Sequence, residues 1–111
     1  MRSRMFLASV VALVSALFPM FLASPADAAS LRTWKRLAQC ESGQRWHINT
    51  GNGYYGGLQF SGSTWRAFGG GKFARYAHRA TPSQQIRIAE KVLRAQGWGA
   101  WPSCSSKLGL R

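Results

Sequence analysis

Acidic side chains are scarce in this chain. Asp27, Glu41 and Glu90 stand against fifteen Lys and Arg in 111 residues. Ordinary glycoside hydrolysis, retaining or inverting, needs two carboxylates about 5 to 10 Å apart, and the chain is poorly supplied for it. Cysteine and histidine are equally sparse, with Cys40, Cys104, His47 and His78 the whole inventory. Their positions show no metal-ligand spacing, so neither a metal nor a cofactor is expected. One long apolar run occurs, and no internal repeat or linker is visible. A chain of this length holds one domain.

The apolar run lies at the start. "MRSRM" is basic and acid-free, Phe6 to Ser24 carries no charge, and Ala26-Asp27-Ala28 places small residues around one acid. This is the pattern of a secretory signal over residues 1–28, cut after Ala28. The competing reading, an uncleaved anchor, needs about 18 apolar residues. Pro19, the scattered serines and the A-x-A site weigh against it. Residues 29–111 then form the mature domain, exported and without a membrane segment. Its 83 residues carry 13 basic and two acidic side chains, a formal charge of +11. Such a field draws polyanions. For an exported protein the expected polyanion is a cell envelope, extracellular or wall-associated. Charge alone also admits nucleic acid. Against that, the basic residues are spread over several elements and "NTGNGYYGGLQF" is uncharged.

Two cysteines in a small exported domain are most simply one disulfide, Cys40–Cys104. They lie 64 positions apart. Closing a loop of that size stabilises by about 4 kcal/mol in the chain-entropy model. A free catalytic Cys40 paired with His47 is the less favoured alternative in an oxidising compartment.

The patterning is mostly helical. "SLRTWKRLAQCESG" offers Ser30 as cap, Leu31, Trp34, Leu37 and Ala38 as an apolar stripe, and Gly43 as stop. "SGSTWRAFGGG" reads as a short helix capped by Ser61 or Ser63. "ATPSQQIRIAEKVLRAQG" is the clearest helix, with Thr81, Pro82 and Gln84 forming a capping box. Ile86, Ile88, Ala89, Val92 and Leu93 give its core face, and Gly97 ends it. On the other face Glu90 sits three after Arg87 and four before Arg94, the spacing of a solvent-side ion pair. Trp98 and Trp101 suit the core beside the disulfide. Between the first two helices, "NTGNGYYGGLQF" predicts a short hairpin with "GNG" as its turn. Its tyrosines and amides suit a sugar-binding wall equally well.

Glu41 is then the acid left for chemistry. It falls at a helix C-terminus, where the macrodipole disfavours a carboxylate, beside a disulfide and before the uncharged stretch. One acid suffices for glycosidic cleavage when the sugar supplies its own nucleophile. The acid protonates the glycosidic oxygen, its conjugate base takes a proton from a hydroxyl of the same sugar, and an anhydro sugar results.

Taken together, "CESG", "WHINTGNGYYGGLQF", "STW", "ATPSQQI" and "QGWGAWPSC" resemble the resuscitation-promoting factor domain of actinobacteria, over about residues 30 to 104. "ES" followed by "GGLQ" is more distantly similar to soluble lytic transglycosylases and goose-type lysozymes. The resemblance implies a small α+β, mostly α, lysozyme-like fold that cleaves the MurNAc–GlcNAc β-1,4 bond of peptidoglycan and promotes resuscitation and growth of dormant cells. It implies Glu41 as the catalytic acid, and Tyr54, Gln59 and Thr64 as glycan-binding residues. Trp46, Asn49 and Trp65 are further candidates, each equally suited to core or turn structure. Cys40 and Cys104 match the family disulfide. Peptidoglycan strands are the implied partner, a peptidoglycan endopeptidase a conceivable second, and the protein is expected to be a monomer. One departure is Ser61, where some family members carry Asp after the "QF" pair. The alternative from another class is a non-enzymatic glycan-binding or signalling module.

Overall fold

The computed structural model describes residues 29–111. The expected leader, residues 1–28, lies outside them. Helix α1 spans Leu31–Ser42, α2 Gly62–Ala67, α3 Pro82–Gln96 and α4 Pro102–Lys107. Strands β1, Tyr54–Tyr55, and β2, Phe60–Ser61, pair antiparallel with Tyr54 opposite Ser61 and Tyr55 opposite Phe60. Single 3-10 turns fill the connections. The class is the expected one, mostly α with one small hairpin and one disulfide.

Local chemistry explains the helix limits. Ser30 Oγ accepts from Thr33 N–H at 3.1 Å and opens α1. Gly43 closes it at φ 70°, a left-handed cap that costs glycine little. Thr81 and Gln84 form both bonds of a capping box, with Pro82 in the first turn of α3. Ser61, not Ser63, caps α2, its Oγ accepting from Thr64 N–H at 3.1 Å. The same cap would suit an Asp, so the departure noted at this position leaves the helix start intact.

The core gathers Trp34, Leu37 and Ala38 of α1, Leu58 and Phe60 of the hairpin, Trp65, and Ile88, Ala89 and Val92 of α3. Trp34 packs against Trp98 at 5.2 Å and Trp101 at 5.4 Å between ring centroids. Cys40 and Cys104 are bonded, with their Cα atoms 5.8 Å apart, and join the end of α1 to α4. A free catalytic Cys40 is thereby excluded.

Three local expectations need correction. The hairpin turns at Gly56–Gln59, between β1 and β2, and not at "GNG". Asn49 and Asn52 instead fold the preceding segment into side-chain-bonded turns, accepting from Gly51 N–H at 3.1 Å and Tyr54 N–H at 3.0 Å. Second, Glu90 is in no ion pair among the described residues, and the expected pairing with Arg87 or Arg94 does not form. Its Oε2 accepts the Trp34 indole N–H at 2.7 Å and its Oε1 faces Ala29 N–H at 3.4 Å. A buried indole N–H needs an acceptor, and a half-buried carboxylate meets that need better than solvent. Third, the buried stripe of α3 includes Gln85 beside Ile88, Ala89 and Val92, while Ile86 and Leu93 are half-exposed.

Candidate active site

Glu41 occupies the last turn of α1, one residue after Cys40 and one before the buried Ser42. Its carboxyl opens into a recess of about 310 Å³ lined also by Tyr54, Gln59, Ala100, Trp101, Pro102 and Ser103. A smaller recess of about 100 Å³ shares Tyr54, Gln59, Ala100 and Trp101 and continues to Ser61, Thr64 and Gln96. The two form one groove between the hairpin with α2 on one bank and the α3–α4 connection on the other. Tyr54 is half-exposed along it, so an aromatic face is available to a ligand. A larger recess of about 620 Å³ lies elsewhere, along Arg32, Lys35, Arg36 and Leu108 on the outer side of α1. It is lined by no carboxylate, and its size alone gives it no chemistry.

Burial raises the Glu41 carboxyl above the ordinary value for a glutamic acid. Removing water penalises the anion more than the neutral acid. The effect opposes the positive field of the surrounding protein and keeps a larger fraction of Glu41 protonated. An apolar pocket makes a proton donor of lysozyme's glutamic acid by the same physics.

The geometry around Glu41 is fixed by hydrogen bonds from three directions. Ser42 Oγ donates to Gly57 O at 2.9 Å, tying the end of α1 to the hairpin turn. Gly57 N–H donates to Gln85 Oε1 at 2.9 Å, and Gln85 Nε2 donates to Trp46 O at 2.8 Å and Ala80 O at 3.1 Å. Trp101 Nε1 donates to Leu58 O at 3.0 Å. The turn is also glycine-dependent by contact. A Cβ on Gly57 would come within 2.3 Å of the Trp46 ring, and one on Gly56 within 2.5 Å of Gln85 Oε1. Gln59 then adopts φ 56°, a left-handed conformation uncommon for a non-glycine residue. Its Nε2 donates to Gly56 O at 3.0 Å, and Asn52 Nδ2 donates to its Oε1 at 3.5 Å. Such strain tends to persist where surrounding structure over-determines it, often at functional sites.

Glu41, Tyr54, Gln59 and Thr64 therefore meet along one groove. Trp46, Asn49 and Trp65 do not line it. Trp46 packs beneath Gly57. Asn49 closes its exposed turn. Trp65 is fully enclosed, with its indole N–H on Ala74 O at 2.8 Å. A side chain without exposed surface does not reach a ligand. Several groove residues escape sequence reasoning. Gln96, Ala100, Pro102 and Ser103 come from the far end of the chain, and only the fold brings them to Glu41. Gln85 and Ser42 carry a readable signal, a polar residue inside an apolar stripe and a Ser next to the lone acid. Among the described residues no group of three His, Cys, Asp or Glu side chains is placed to hold a metal ion. No helix among them is long and apolar enough to cross a membrane.

A disulfide-tied helical domain with one half-buried acid at a helix end, facing an uncharged, aromatic- and amide-lined groove, defines a class, and comparison with known proteins names it. Residues 28–104 match the family model described as "Transglycosylase-like domain", and the chain belongs to that family. Its relatives include resuscitation-promoting factor Rpf1 of Corynebacterium glutamicum, 64% identical over 89 residues, covering 80% of this chain and 46% of that protein. Resuscitation-promoting factor Rpf of Micrococcus luteus is 50% identical over 111 residues, covering 98% and 48%. Resuscitation-promoting factor RpfE of Mycobacterium tuberculosis is 52% identical over 97 residues, covering 82% and 55%. The expected kinship with the resuscitation-promoting factors is thereby shown. The chain spans about half the length of these relatives.

Proposed function

We propose that the protein is an exported lytic transglycosylase that cuts the MurNAc–GlcNAc β-1,4 bond of peptidoglycan with Glu41 as its single catalytic acid. One observation carries this reading. Of the two acidic side chains among the described residues, Glu90 is engaged by Trp34 and Ala29, which leaves Glu41 as the acid facing the groove. Its raised pKa supports the role of proton donor. In this mechanism Glu41 protonates the glycosidic oxygen as the bond to the MurNAc anomeric carbon breaks. The carboxylate then accepts the proton of the MurNAc 6-hydroxyl, whose oxygen closes on that carbon. The products are a 1,6-anhydro-MurNAc end and a free GlcNAc hydroxyl, no water is consumed, and Glu41 is regenerated protonated. Tyr54 supplies a face for a pyranose ring, and the Gln59 amide and Thr64 hydroxyl bond to sugar substituents. Trp46, Asn49 and Trp65 support the walls.

The wider role follows the relatives' names: release of wall fragments, or weakening of the wall itself, promotes resuscitation and growth. The protein works outside the cell or on the wall as a monomer, alone or beside a peptidoglycan endopeptidase. Mass spectrometry of fragments released from purified peptidoglycan by the exported protein tests the reading. Anhydro ends that vanish in Glu41→Gln are expected. Reducing ends would mean hydrolysis by a water molecule, and no release by the native protein would leave a glycan-binding module.

A further inference from the structure

The carboxylate of Glu90 is shared by two donors. Trp34 Nε1 is close, at 2.7 Å, and Ala29 N is at 3.4 Å, near the limit for a hydrogen bond. Ala29 is half-buried and packed against the core. An amide N–H at that distance is a poor partner for half of a carboxylate. An ammonium at the same place is a good one, with three donors and a unit charge. The nitrogen in question is also the one that would be freed if the chain were cut at the small-residue signal Ala26-Asp27-Ala28.

We infer that the Ala28–Ala29 bond is the processing point and that the α-amino group released there docks on Glu90 as an internal ion pair. Hydrolysis adds one water. The leader leaves with the new carboxylate of Ala28, and Ala29 takes up a proton as an ammonium. The pair fastens the start of α1 to α3 next to Trp34, which is itself fully buried. The register is strict. Cleavage one residue later puts the charge on Ser30, which is exposed and whose side chain already caps α1. Cleavage one residue earlier leaves Ala29 as an uncharged amide. Processing is thus a maturation step that tightens the helix carrying Glu41, and it is independent of which reaction Glu41 performs.

The test uses the full chain, exported from a bacterial host and recovered from the medium. Intact mass gives the first residue. Transamination of the terminal α-amine to a ketone removes its charge and donors and spares lysine side chains. A product beginning at Ala29 is expected. Its melting temperature should fall by about 3 to 6 °C on transamination, against less than about 1 °C in Glu90→Gln. The Trp34 indole N–H resonance should move in the native protein on the same treatment. If Glu90→Gln does not fold, that resonance decides. A first residue other than Ala29, an unmoved resonance, or an equal loss in Glu90→Gln overturns the inference.

Discussion

Gln85 is the residue whose loss should be felt most widely for its size. Its side chain has no exposed surface, and its amide makes three bonds, to Gly57 N–H, Trp46 O and Ala80 O. Gln85→Met keeps length and apolar volume and deletes all three. Each bond contributes about 1 kcal/mol net, and an orphaned buried N–H costs about 1 to 3 kcal/mol more. The two carbonyls suffer less, because under-satisfied acceptors are better tolerated than donors. The total comes to about 4 to 6 kcal/mol, a fall in melting temperature of roughly 16 to 48 °C for a domain of this size. Thermal unfolding followed by circular dichroism, without reductant, reads it directly. Turnover should fall by more than the folded fraction explains, because Gly57 anchors the turn that presents Gln59 to the groove. A Gln85→Met protein melting within about 3 °C of native would refute the reasoning, since it would mean that the freed groups find partners at no cost.

Activity should peak at mildly acidic pH and decline as pH rises through the raised Glu41 value, because the donor must be protonated; an optimum above neutrality would refute Glu41 as the acid. The same shift has a sign for stability. A carboxyl raised by burial binds more protons folded than unfolded, so its ionisation lowers stability as pH rises from about 4.3, the unfolded value, to the folded one. Glu41→Gln should therefore melt at or above the native temperature at pH 7, and a clear drop in differential scanning calorimetry would contradict this. Opening the Cys40–Cys104 bond, by reduction or by the double serine variant, should cost about 4 kcal/mol and lower the melting temperature by roughly 15 to 30 °C. The +11 formal charge of residues 29–111 should hold the protein on isolated walls at low salt and release it as salt rises; elution indifferent to salt would exclude an electrostatic hold.

The parts legible in the sequence are those whose causes are local. Ser30, Thr81 and Gln84 cap their helices because the groups they satisfy lie within three residues. Gly43 ends α1 for a reason carried by its own backbone. The disulfide is legible because two cysteines leave one pairing. Glu90 misleads because its neighbours at helical spacing are visible in the sequence, while Trp34, 56 positions away, is not. The hairpin turn misleads for a related reason. "NTGNGYYGGLQF" offers glycine at several places, and Trp46 and Gln85 from outside the stretch select Gly56 and Gly57 by filling the space a side chain would need. Glu41 stands out by elimination among very few acids, whereas Gln96, Ala100, Pro102 and Ser103 need the fold. Trp65 shows the limit of residue type as a guide, since a tryptophan suited to a sugar is equally suited to a core.

The disulfide has a mechanical side. Glu41 and Ser103 look into the same recess, and each is the chain neighbour of a bonded cysteine. The covalent link therefore runs under the groove at the acid and sets its gauge there. At the other end, Thr64 and Gln96 line the groove from elements that the disulfide does not join. The groove is built like an adjustable wrench, with one jaw fixed by a bond at the acid and the far mouth closed without one. On the proposed reaction, the bond to be cut is registered against the jaw that the disulfide fixes.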